Sequence, residues 1–169
     1  TGFLAFTAAG RPAWANGCSL SAQMSGNTSA HADDEPCGGE GLSPGYWRNH
    51  TNDWHPEFPT TMLFVSAFGV NAFPGMTLYD VISLQSSSDP SSGPAGWSEE
   101  EARYQNILSS LGMHAVAALQ NAATTIRYDL TVSEVQASFR DAYNSGDPDE
   151  MEITKNSLDR LNNQGGTLA

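Results

Sequence analysis

Three helix-start signals follow one another in the second half of the chain and leave little freedom in what it can fold into. In Ser98-Glu99-Glu100-Glu101, Ser98 stands where its hydroxyl can accept an amide hydrogen bond and Glu101 where its carboxylate can reach back, a reciprocal capping box. Thr131 with Glu134 repeats that arrangement. Asp147-Pro148-Asp149-Glu150 offers a capping carboxylate, a proline at the first helical position and Glu150 to close the box. Behind each signal, apolar residues recur at helical spacing. Ile107, Leu111, His114, Ala118 and Ala122 make one stripe, with Gly112 expected to kink it. Val132, Val135, Phe139, Ala142 and Tyr143 make a second; Met151, Leu158 and Leu161 make a third. Gly146 is a natural stop for the middle helix, and Asn162, Asn163, Gly165 and Gly166 end the last. Connections this short predict a small antiparallel bundle.

Upstream the signals are shorter. Thr61 is placed to cap a helix from Met62 to Phe68 that Gly69 ends, and Thr77 to cap another from Leu78 to Leu84. Residues 86–96 (SSSDPSSGPAG) read as a linker. The expected fold is therefore mainly α, a small bundle of three C-terminal helices plus short ones behind an irregular, loop-rich N-terminal third. Residues 1–17 form an apolar arm, 18–45 a Gly/Ser-rich segment, and 46–169 the helical domain. No repeat at solenoid spacing is present.

Charge and cysteine usage narrow the setting. Seven basic residues against nineteen acidic ones give a net charge of −12, which disfavours nucleic acid and anionic membranes as partners. No run approaches the ~20 apolar residues of a membrane-spanning helix. Cys18 and Cys37 lie in a core-poor segment, and neither has a CxxC neighbour. A disulfide between them would close a loop of about 20 residues, contribute roughly 3 kcal/mol, and imply an oxidising compartment. Free thiols and half of a metal site are the rival readings. Residues 2–9 (GFLAFTAA) are apolar, and Ala13-Trp14-Ala15 has the small-x-small form of a signal-peptidase site. A start at Thr1 suggests a processed or truncated N-terminus.

The densest chemistry lies in Ser43-Pro44-Gly45-Tyr46-Trp47-Arg48-Asn49-His50 and its continuation Asp53-Trp54-His55-Pro56. Tyr46, Trp47 and Trp54 read as an aromatic plug over one end of the bundle, or alternatively as a platform for a glycan. His50, Asp53 and His55 have suitable ligand types for a metal, although loops offer such spacing often. His114 lies on an apolar stripe, where a histidine is usually a hydrogen-bonded core residue. His50 and His114 are expected to meet in one buried polar cluster without a metal. His31-Ala32-Asp33-Asp34-Glu35 reads as a solvated acidic loop, since it lacks the alternating ligands and glycine of a calcium loop. Asn27 and Asn49 begin glycosylation triplets, which matter only in a host that glycosylates them. No GxSxG, HExxH, phosphate loop or dinucleotide fingerprint occurs. No catalytic residue, cofactor or enzymatic activity is assigned.

The stretch from Ser43 to His50 resembles a motif, (Cys)-Thr/Ser-Pro-Gly-Tyr/Phe-Trp-Lys/Arg-Asn-His, of many poorly characterised secreted bacterial proteins. Met113 to Ala123 (MHAVAALQNAA) is similar to that group's His-Ala-x-Ala-Ala-Leu-x-Asn-Ala helix. Leu130-Thr131 to Val135, Ser145-Gly146-Asp147 and Leu158 to Gly165 continue the likeness, the last to a closing Leu-Asn-Asn-x-Gly-Cys. The coverage is about residues 42–168. Relatives often carry Cys where Leu42 and Gly166 stand here, which implies a bridge, absent in this chain, between the motif's start and the C-terminal end. The resemblance implies an extracellular, surface-linked or matrix-type module and carries no activity with it.

Taken together, the expected protein is a secreted structural subunit that self-assembles into a filament, appendage or surface layer. Phe3, Leu4 and Phe6 are its assembly residues and copies of itself its partners. The alternative is a secreted binding module using the aromatic cluster for a glycan, or His50, Asp53, His55 and His114 for a metal.

Overall fold

The computed structural model describes residues 39–84, 95–124, 126–166 and 168. Phe3, Leu4, Phe6, the Cys18–Cys37 pair, Asn27, the 31–35 loop and most of the 86–96 linker lie outside the described residues. Six α-helices occur among the described residues: α1 (Pro44–Asn49), α2 (Phe64–Phe68), α3 (Leu78–Ile82), α4 (Glu99–Ala123), α5 (Val132–Ser145) and α6 (Pro148–Asn162). A 3-10 turn, Thr51–Asp53, follows α1. The fold is mainly α. The body also takes in residues upstream of position 46, since Gly41 and Pro44 are buried in it.

The helix starts form where the local chemistry places them. Ser98 Oγ accepts from Glu101 N while Glu101 accepts from Ser98 N, and Thr131 and Glu134 exchange the same pair. Thr77 caps α3 through a third reciprocal box, closed by Asp80. At α6 the cap is simpler: Asp147 accepts from Asp149 N at 2.9 Å, and Pro148 occupies the first turn without a reciprocal bond from Glu150. Gly146 stops α5 in the left-handed region, at φ 64°, where a side chain would strain the backbone. Thr61 does not cap α2. The backbone at Leu63 is extended and its stretch pairs with residues 76–78, Phe64 N donating to Met76 O and Leu78 N to Met62 O. The helix therefore starts two residues later than its sequence suggests, at Phe64.

α4 packs against both α5 and α6, which also touch each other, while α1 and α3 lean on α4 and α2 on α5. This position explains a departure from the single stripe expected of α4. Every residue from His114 to Asn121 is buried, so two turns of the helix are enclosed on all sides. The small residues Ala115, Ala117 and Ala118 let neighbours approach closely there. A second focus of the core is aromatic. Phe64, Phe68, Phe73 and Phe139 meet with ring centroids 4.4–6.3 Å apart, in stacked, edge-on and tilted pairs.

Gly112 does not interrupt α4, which runs unbroken through it. It is the point at which the aromatic focus touches the central helix: a Cβ there would sit 2.5 Å from the Phe73 ring and 3.0 Å from Val81. Phe73 is held by Phe64 and Phe139 and has little room to yield. Gly112→Ala, which in an open helix would add about 1 kcal/mol of stability, is expected here to remove roughly 1–3 kcal/mol through overpacking. Urea denaturation measures the sign; a raised midpoint would mean that the Phe73 ring moves aside.

Candidate functional site

The candidate region is the junction of α1, the last turns of α4 and the end of α6. Its short helix forms because Ser43 Oγ accepts from Tyr46 N and Pro44 supplies a pre-set first turn. That helix turns Trp47 inward, fully buried, and leaves Tyr46 half-buried at the rim. Tyr46 stacks on His50, with centroids 4.1 Å apart and planes 10° from parallel, and its hydroxyl donates to Asp53 at 2.8 Å. Desolvation and the Asp53 carboxylate both raise the Tyr46 pKa, so the phenol stays protonated as donor.

Beneath this rim lies a chain of amide hydrogen bonds. The Asn121 carbonyl oxygen accepts from Trp47 Nε1 at 3.0 Å and from Leu42 N at 2.9 Å. Its amide nitrogen donates to Leu42 O at 2.8 Å and to Asn162 Oδ1 at 3.0 Å. All four hydrogen-bonding capacities of one buried side chain are thereby met. Asn162 Oδ1 also accepts from Tyr128 Oη at 2.8 Å, and Asn162 Nδ2 donates to His114 O at 3.0 Å. Burial, reinforced by the nearby Asp129, raises the Tyr128 pKa well above its ordinary value, which keeps that donor intact. Beside them Gln120 clamps the loop after α1, accepting from His55 N and donating to Phe58 O, both at 2.9 Å. Trp54 Nε1 donates to Trp47 O at 2.8 Å.

Next to this network the two ends of the described body pair. Gly41 and Gly165 form an antiparallel bridge, with Gly41 N donating to Gly165 O at 2.6 Å and Gly165 N to Gly41 O at 3.0 Å. The segments carrying Leu42 and Gly166 are thus brought side by side by backbone bonds. A side chain at position 41 would overlap the Leu161 carbonyl, which accounts for glycine there.

The residues singled out by sequence divide accordingly. Tyr46, Trp47 and Trp54 do gather, but Trp47 is 0 % and Trp54 8 % exposed, so neither ring face is open to a sugar. The expected meeting of His50 with His114 is corrected. His50 is exposed, its Nδ1 bonded to Tyr46 O, because the α1 turn directs it outward over Tyr46. His114 is buried on α4 facing α6, with Asp159 Oδ1 3.8 Å from its Nδ1. Among the described residues no group of three or more His, Cys, Asp or Glu is placed to hold a metal, so His50, Asp53, His55 and His114 are not brought together. The residues the sequence reading passed over are Asn121, Asn162 and Gln120. Their signal was polar side chains inside apolar helical runs, which are costly to bury unless bonded. The chain matches no family model, no curated protein and no solved structure.

Two measurements test this region. Asn162→Ala should cost roughly 3 kcal/mol by leaving the groups of Asn121, Tyr128 and His114 unpaired. The same change at its exposed neighbour Asn163 should cost under about 0.5 kcal/mol; equal costs would mean that the network does not hold the junction. Burial depresses the His114 pKa below its ordinary 6.5, with Lys155 adding to the effect and Asp159 opposing it. The folded chain therefore binds this proton less readily than the unfolded one. Stability should be full above about pH 6.5 and fall as pH drops below it, and His114→Gln should flatten that slope in urea midpoints taken from pH 7.5 to pH 5.

Proposed function

We propose that this protein is an extracellular structural subunit that assembles with copies of itself into a filament, appendage or matrix layer. The observation that carries this reading is an apolar octet, residues 2–9, in a chain whose described residues already assemble a hydrophobic core among themselves. Apolar surface of that length left in water drives association, and each large side chain buried contributes on the order of 1.5–3 kcal/mol.

The junction supports the same reading. Its notable side chains are engaged in joining three helices, the use expected of a mechanical module. Trp47, Asn121 and Asn162 lie in the three segments that resemble the motifs of secreted bacterial proteins, and they bond to one another. The proposed Cys18–Cys37 disulfide belongs to the same exported setting.

In the full chain, replacing Phe3, Leu4 and Phe6 by Ser should leave helical circular dichroism unchanged and convert assemblies to monomers in sedimentation velocity. Loss of helicity would place those residues in the subunit's own core. Unchanged assembly would remove them from the contact.

A further inference from the structure

A groove lies at the other end of the molecule, where the first turns of α4 meet the start of α6. It has a volume of about 660 Å³ and is lined by Trp97, Tyr104 and Pro148, with Glu100 and Gln105 among its polar groups. Trp97, at 46 %, is the most exposed large apolar side chain among the described residues. The groove's two helices are tied together by Arg103, which pairs with Asp149 at 2.5 Å and Glu152 at 3.6 Å. Its one lining cation is thus compensated, and Glu100 leaves the rim acidic.

We infer that this groove receives the apolar segment 2–9 of a neighbouring copy, so that subunits join head to tail; the inference rests on the self-assembly reading above. Three observations select this occupant. The first is chemistry: Phe3, Leu4 and Phe6 match a groove walled by two aromatic rings and a proline.

The second is charge. All nineteen acidic residues lie at or after Asp33, whereas residues 1–32 hold a single charged side chain, Arg11. The other six basic residues against nineteen acidic ones leave residues 33–169 with −13. Two such bodies repel, and the N-terminal segment is the part of the chain that can approach an acidic rim without like-charge cost. Arg11 follows the apolar octet closely enough to face Glu100 and orient it, a contact that steers more than it strengthens.

The third is placement. Upstream chain joins the described body at Gly39, beside the C-terminal end of α4, where Glu40 N donates to Arg127 O and Leu42 is held by Asn121. The groove is at the N-terminal end of the same helix. The 25 residues of α4 separate them, about 37 Å at 1.5 Å per residue. A segment of one copy seated in the groove of another is a heterologous contact, and a heterologous contact that does not close propagates as a filament.

Sedimentation velocity and electron microscopy of two full-length variants and their mixture test this. Trp97→Ser with Glu100→Lys changes two exposed groove residues; Phe3, Leu4 and Phe6→Ser changes the donor; circular dichroism checks that both stay helical. Wild type should polymerise, each variant alone should be monomeric, and an equimolar mixture should give heterodimers of twice the monomer mass and nothing longer, because one intact donor and one intact groove remain. A groove variant that polymerises like wild type would overturn the inference and leave self-assembly standing. A donor variant that still polymerises would assign the groove to another occupant and overturn it equally. A mixture that stays monomeric, or that grows long polymers, would exclude head-to-tail pairing. Wild type that remains monomeric would sink the self-assembly reading itself, and this inference with it.

Discussion

The architecture depends on one amide. Asn121 sits where α4 is enclosed on every side, and its four hydrogen bonds reach the chain before α1, the Trp47 indole and Asn162 at the end of α6. A carboxamide in so dry a place is tolerable because it is wholly satisfied, and being wholly satisfied it fixes geometry in a way that apolar contacts cannot. Leucine or alanine side chains slide over one another at small cost. Two donors and two acceptors with fixed directions do not. The register of α1 and α6 against α4, and with it the pairing of Gly41 with Gly165, follows from that directional lock.

The scarcity of basic residues shapes the rest of the electrostatics. A chain with nineteen acids and seven bases cannot neutralise its carboxylates through ion pairs. Several are placed instead at helix starts, where unpaired amides and the helix dipole favour negative charge. Asp80 and Glu101 accept from the backbone and hydroxyl of Thr77 and Ser98, and both carboxyl pKa values are lowered by those bonds. Glu134 and Asp147 take the same role at α5 and α6. Acidity and helical fold therefore support each other in this protein. The remaining exposed carboxylates leave the body strongly negative.

The conspicuous side chains are used inside the fold. Two tryptophans, two asparagines and a glutamine are turned inward and bonded to each other or to backbone. What faces outward is different in kind: a groove with Trp97 and Tyr104 at one end of α4, and the point where upstream chain joins at the other.

The helices were legible in the sequence because a cap is a local event. Ser98 and Glu101, or Thr131 and Glu134, are three residues apart and satisfy each other whatever the rest of the chain does. The mainly α class, the stops at Gly69 and Gly146 and the bundle of three long helices follow from such short-range chemistry and from helical spacing of apolar residues. Where a distant partner intervened, local reading failed. Thr61 lost its helix start to backbone pairing with residues 76–78, and Gly112 proved to be a contact point for Phe73 within an uninterrupted helix. His50 and His114 were parted because α1 turns one outward while α4 carries the other beneath α6. Asn121 and Asn162 gave little signal of their own, 41 residues apart, since a buried amide is identified by its partners and those are assembled only when the helices pack. Sequence alone determined the three long helices and α3 with their capping residues; tertiary structure decided where α2 starts and which polar groups pair across the helices, because a hydrogen bond between distant residues exists only after the fold has brought them within 3 Å.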